Sequence, residues 1–145
     1  MGRMQITVAW LGKSKHAAIR ELTEEYLARL RGFSRFAAVE GLELAGRDPE
    51  AALVAKAGRS AELWLLDPAG RSFDSPGFAR WLERRSRGLI LAIGGADGFG
   101  PRAQAAAAGT LSLSALTLSH ELARVVALEQ VYRALAILTH HPYPH

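Results

Sequence analysis

The chain has 145 residues, 49% of them apolar and 22% charged, with a formal net charge of +4 and no cysteine. That length supports one domain, residues 1–145, with a real core; the composition excludes a disordered chain, a disulfide scaffold and a thiolate metal site. No apolar run approaches the roughly 18 residues of a membrane span, and the short apolar stretch 6–11 does not read as a signal peptide, so a soluble cytoplasmic protein is expected.

In chain order, residues 5–10 read as a first strand, followed by the loop 12–15. Ile19, Leu22, Tyr26, Leu27 and Leu30 then recur at helical spacing, and Gly32 closes that helix. Residues 36–44 form a partly alternating strand. Asp48, Pro49 and Glu50 supply an N-cap, a first-turn proline and a first-turn acid for a helix ending at Gly58. Residues 62–66 are a short, largely apolar strand stopped by Asp67, Pro68, Ala69 and Gly70. Ser75 and Pro76 open a helix through Arg85 that Gly88 ends. Residues 89–93 hold no polar side chain, which predicts a strand covered on both faces. A glycine loop, 94–100, leads to a short helix, 101–108, with Gly109 as its C-terminal cap. Residues 111–113 make the last strand, and Ser119 caps a long helix, 120–138. The alternation predicts an α/β domain with a mainly parallel sheet covered by helices.

In such sheets ligands bind beyond the carboxyl ends of the strands, which selects the loops 66–75, 94–100 and 114–119. Four glycines in the seven residues 94–100 allow a ligand near the backbone. The spacing matches neither a dinucleotide fingerprint nor a phosphate-binding P-loop. Ser114 to Ser119 is a nearly uncharged stretch whose hydroxyls and amides suit the edge of a purine. On the long helix, Leu122, Val125, Val126, Leu128, Val131, Leu135 and Leu138 span an arc wide enough for both the core and a second subunit. Arg124, Glu129 and Arg133 read there as a solvated ion-pair face. Arg80, Arg84 and Arg87, with Arg85 beside them, form a candidate phosphate track. Four of the five histidines (His120, His140, His141 and His145) fall in the last 26 residues, but Pro142 and Pro144 and the lack of cysteine argue against a metal site. Tyr143, between two prolines, is suited to stacking on a base.

Four segments taken together resemble a known family. They are Ile93-Gly94-Gly95-Ala96-Asp97-Gly98; Leu111-Ser112-Leu113-Ser114-Ala115-Leu116-Thr117-Leu118-Ser119-His120; Glu129-Gln130-Val131-Tyr132-Arg133-Ala134; and His141-Pro142-Tyr143. In this order the chain is similar throughout its length to the ribosomal RNA large subunit methyltransferase H family, RlmH, of the SPOUT class. The resemblance implies a SPOUT-type sheet with a C-terminal trefoil knot, a homodimer, and S-adenosylmethionine-dependent methylation of N3 of a pseudouridine in 23S rRNA. It implies cofactor contacts from Leu66, Gly95, Ser114, Ala115, Leu116, Thr117, Leu118 and Ser119. It places the tail at the target nucleotide, with Tyr143 as base platform and His141 as tail organiser or proton acceptor. The family tail continues with a second histidine and a cation, where this chain has Pro144 and His145. A SPOUT enzyme with another RNA target and a non-catalytic ribosome-binding module therefore stand as alternatives. The modest charge predicts assembled ribosomes as the substrate.

Overall fold

The computed structural model describes residues 3–58, 61–85 and 88–143. Five strands, β1 (Met4–Leu11), β2 (Ala37–Leu44), β3 (Ala61–Ser72), β4 (Gly88–Ile93) and β5 (Gly109–Ser112), form one sheet in the order β2-β1-β4-β3-β5. All its pairings are parallel. The helices are α1 (Ala17–Leu30), α2 (Pro49–Ala57), α3 (Ser75–Glu83), α4 (Pro101–Ala106) and α5 (His120–Leu138), with a 3-10 turn (Arg31–Phe33) after α1. This is the α/β architecture that the alternation of strand and helix implies.

Strand side chains alternate between two cores, as the two-residue period requires. Ile6, Val8, Trp10, Leu89, Leu91 and Ile93 face the side packed by Leu82 of α3 and Leu128, Val131 and Leu135 of α5. Ala9, Leu11, Leu63, Leu65, Ile90 and Ala92 face Leu53 of α2 and Ala103 of α4. The central strand β4 is buried on both faces, as its all-apolar run predicts.

Three local departures from the sequence reading have physical causes. First, β3 does not stop at Asp67. The chain detours through residues 67–70 and rejoins the sheet, so that Leu111 of β5 pairs with both Leu66 and Arg71. Asp67 Oδ1 accepts from the Ala69 amide at 2.8 Å, closing the detour. Gly70 is required there, because a Cβ would lie 2.8 Å from the backbone of Thr110 and Leu111. Second, α3 ends at Glu83, and Gly88 begins β4 instead of ending the helix. Its cap is Asp74, whose carboxylate accepts from the Gly77 amide at 2.7 Å. Third, α4 ends at Ala106 and Gly109 is no helix cap. It opens β5, and a Cβ on it would run into the Trp64 indole.

Candidate functional site

A cavity of about 230 Å3 opens at the carboxyl ends of β3, β4 and β5. Its wall takes Leu66, Asp67 and Pro68 from the β3 detour, 94–96, 98 and 99 from the glycine loop, and Leu113, Ser114, Leu116, Thr117 and Leu118 from the loop before α5. All three loops selected from the sequence therefore converge on one space. Among the proposed cofactor residues, Leu66, Gly95, Ser114, Leu116, Thr117 and Leu118 line it. Ala115 and Ser119 do not; Ser119 accepts from the Leu122 amide at 3.3 Å as the α5 cap.

The glycine loop is shaped from within and pinned from outside. Gly98 has φ +70° and donates its amide to the Gly95 carbonyl at 3.0 Å. A Cβ on Gly94 would come within 2.9 Å of the Gly98 backbone, whereas one on Gly95 would meet nothing nearer than the Leu11 carbonyl at 3.5 Å. The fold itself thus demands glycine at 94 but not at 95. From α2, Glu50 accepts from the amides of Gly100 at 2.6 Å and Ala103 at 3.1 Å, capping α4. Its carboxyl is held below the ordinary value chiefly by the Gly100 amide. Arg102 makes a two-pronged contact to Asp48 at 2.9 and 2.8 Å, tying α4 to the start of α2.

The start of α5 carries a cation that the sequence pattern places on a solvated face. Arg124 belongs to no solvated face: it is 0% exposed, and its guanidinium donates to Ser14 Oγ at 2.9 Å and to the Leu11 carbonyl at 3.1 Å. Glu121 is also buried and accepts from the amides of Lys15 at 2.9 Å and His16 at 3.3 Å. Burial alone would raise the Glu121 carboxyl, but the His16 and Lys15 amides and the nearby cations outweigh it and hold it low. Burial pulls the Arg124 guanidinium down, against Glu121 and Glu43. His120 and Ala123 line the cavity from the same turn. Spacing at i, i+3 was the available signal: 120 and 123 share one stripe, 121 and 124 the next.

The tail lies elsewhere. His140 takes φ +57°, and the amides of His140 and His141 bond the carbonyls of Ile137 (3.2 Å) and Ala136 (2.8 Å), a Schellman closure of α5. The chain then doubles back, so that the Tyr143 ring meets Tyr132 edge-on at 4.7 Å and lies under the Arg133 guanidinium at 4.7 Å. The Tyr143 hydroxyl is 3.4 Å from that of Tyr26. Burial first, then this contact and the nearby Glu129, push the Tyr143 phenol well above the ordinary tyrosine value. The His141 ring stands edge-on to Phe33 at 5.6 Å. Tyr132 is about 14 Å along α5 from Ala123, at 1.5 Å per residue. One chain therefore does not bring His141 and Tyr143 to the cavity. Pro144 and His145 lie outside the described residues.

The candidate phosphate track on α3 is reduced. Arg80 and Arg84 are exposed. Arg85 pairs with Glu62 at 3.3 Å and covers the Trp81 ring at 4.4 Å, and Arg87 lies outside the described residues. Among the described residues no cluster of histidine and acidic side chains is placed to hold a metal ion, and no helix is long and apolar enough to cross a membrane.

Comparison with known proteins places this geometry. The family model described as "Predicted SPOUT methyltransferase" matches residues 4–145. A Koribacter versatilis protein named "Ribosomal RNA large subunit methyltransferase H" is 45% identical over 145 residues, covering 97% of each chain. A Sorangium cellulosum protein of the same name is 38% identical, covering 98% of this chain and all of its own length. Among solved structures, a "probable rRNA-methyltransferase" from Porphyromonas gingivalis superposes with a TM-score of 0.60 at 15% identity, over 94% of this chain and 70% of that one.

Proposed function

The chain belongs to the SPOUT methyltransferase family, and from that premise we propose that it methylates N3 of a pseudouridine in 23S rRNA, using S-adenosylmethionine and acting on assembled ribosomes in the cytoplasm. The observation that carries this reading is the cavity where three loops meet at the strand ends, with apolar walls, small hydroxyl side chains and Gly95 open to a ligand. Those features fit the cofactor. Leu66, Leu116 and Leu118 offer apolar surface to the adenine, and Ser114 and Thr117 offer hydroxyl partners to its polar edges. Gly95 lets the ligand approach the main chain. When bound, S-adenosylmethionine supplies a methyl group on a sulfonium, so the protein's task is to position the acceptor and manage its proton.

N3 of the base must give up its proton to become nucleophilic. Tyr143 is unsuited to take it, since its phenol is held protonated; it serves as the surface on which the base stacks. His141, exposed and braced against Phe33, is the tail group that accepts the proton. Because the tail of one chain lies away from its own cavity, the working site takes the tail from a second copy. The α5 face bearing Leu122, 51% exposed, with Val126 and Ile137, offers the surface for that homodimer. A C-terminal trefoil knot, with α5 threaded under the loops of the cavity, completes the proposed architecture.

The test is methyl transfer from labelled S-adenosylmethionine to undermethylated ribosomes, with wild type and Tyr143→Ala side by side. Label in one large-subunit pseudouridine, lost in the variant, is expected. Label in both overturns the tail assignment. No label from a folded wild-type dimer overturns the substrate.

A further inference from the structure

We propose that the loop joining β1 to α1, Gly12 to His16, is a pre-formed RNA-docking element whose Lys13 and Lys15 hold phosphates of nucleotides flanking the methylated base. The inference rests on the methyltransferase reading above and adds to it the surface that orients the substrate.

The loop's backbone is fixed by three different elements. From β2, the Leu44 carbonyl accepts from the Gly12 amide at 2.8 Å, and Glu43 accepts from the Ser14 amide at 3.1 Å. From α1, Arg20 donates to the Ser14 carbonyl at 2.8 Å. From α5, Glu121 receives the amides of Lys15 and His16, while Arg124 donates to Ser14 Oγ and to the carbonyl of Leu11. A short surface loop has little need of a buried arginine and a buried glutamate to keep its shape. Holding cationic tips at fixed positions is such a need.

The charges sort in the same way. The carboxylates that hold the loop have partners of their own: Glu43, although exposed, accepts also from the Trp10 indole at 3.1 Å, and the buried Glu121 bonds the loop's own amides. Lys13 and Lys15 are placed differently. Both are exposed, and among the described residues no carboxylate comes within ion-pair distance of either. His16 stands beside them with its side chain 73% exposed and its Nε2 3.6 Å from Glu121 Oε2. The loop's own exposed charge is therefore positive, although two carboxylates, the buried Glu121 and the exposed Glu43, hold its backbone.

Its position links it to the cavity. Leu11, which ends β1, presents the carbonyl that a Cβ on Gly95 would meet at 3.5 Å, and the same carbonyl accepts from Arg124. The loop that carries the lysines thus starts next to the glycine loop that lines the cavity. Since the backbone is already ordered, RNA contact here requires ordering only two side chains. Phosphate contacts of this kind orient the substrate without reading its sequence.

The test is the double variant Lys13→Gln/Lys15→Gln, assayed three ways: binding to 23S rRNA across a salt series, KM for ribosomes, and calorimetric affinity for S-adenosylmethionine. Losing two phosphate contacts should flatten the plot of log K against log[salt] by about 1.4–1.8, depending on strandedness. KM should rise at least several-fold, with cofactor affinity and Tm unchanged. An unchanged salt slope and KM overturn the docking role, as does a fall in Tm or cofactor affinity, which marks the lysines as structural. Weaker binding to ribosomes with unaltered binding to stripped rRNA also overturns it, since the partner is then a ribosomal protein. A wild type that binds RNA through the lysines yet transfers no methyl leaves the docking element standing and overturns the enzymatic reading instead.

Discussion

Gly70→Ala should cost the protein stability and cofactor affinity together. The added Cβ would lie 2.8 Å from the backbone of Thr110 and Leu111, which has no rotamer through which to escape, so β3 and β5 must part. Overpacking of this kind costs about 1–3 kcal/mol. With an unfolding entropy of about 2.1 cal/mol/K per residue, 145 residues give about 0.3 kcal/mol/K, and Tm should fall by about 3–10 °C. Because β5 leads directly into Leu113 and the loop before α5, the displacement reaches the cavity wall and weakens S-adenosylmethionine as well. Two further glycines isolate the cause. Gly95→Ala meets nothing nearer than 3.5 Å, so Tm should stay within about 2 °C while the cofactor Kd rises about tenfold or more. Gly32→Ala, with nothing within 4 Å, should change neither. Circular dichroism melts at one fixed protein concentration and calorimetric titration read the two quantities. A Gly70→Ala protein with wild-type Tm would refute the steric reasoning, and a Gly95→Ala protein with wild-type affinity would remove the cofactor from this cavity.

Acid should destabilise the fold below the ordinary carboxylate range. The carboxyls of Glu43, Asp48, Glu50 and Glu121 are all held below their ordinary values of 4.5 for glutamate and 3.8 for aspartate. A depressed folded value means stabilisation that is full above the ordinary value and is lost as pH falls through the depressed one. Tm should therefore be level from neutrality to about pH 5 and drop below it, with a shallower drop in Glu121→Gln; an equal slope in that variant counts against the Glu121 anchor. Tyr143 should not ionise through the usual tyrosine range near about pH 10, so Tyr143→Phe should leave the absorbance titration there unchanged. Mixed dimers test the two-chain site. Tyr143→Ala and Gly95→Arg should each be inactive alone and regain methyl transfer when refolded together; no recovery would mean that each tail serves its own cavity.

Most of the scaffold was legible in the sequence because its signals are local. The apolar run 89–93, the Asp48-Pro49-Glu50 start and the Ser119 cap each determine an element over a few residues, and α5 begins and ends where its pattern does. What was not legible depends on partners distant in the chain. Gly109 looks like a helix cap until Trp64 is placed beside it. Arg124 looks solvated because arginine is rarely buried, and only its partners Ser14 and Leu11, more than 100 residues earlier, account for its position. The cavity loops were found because the carboxyl-end rule is topological. The tail's separation from the cavity was not, since motif order carries no distance.

The first turn of α5 gives these parts a common mechanics. His120 and Ala123 form cavity wall, while Glu121 and Arg124, one step around the helix, hold the loop that carries Lys13 and Lys15. A helix turn is stiff, so a shift of α5 that widens or narrows the cavity also carries the loop anchors with it. Any such shift upon cofactor binding would change the affinity for RNA, and by linkage RNA would change the affinity for cofactor by the same factor. The buried Arg124 makes that shift costly to absorb locally, because its bonds to Ser14 of the loop and to Leu11 at the end of β1 are shielded from solvent. Cavity and docking loop are thus constrained to move as one unit, although the cavity residue nearest in the chain, Leu66, lies 50 residues beyond the loop.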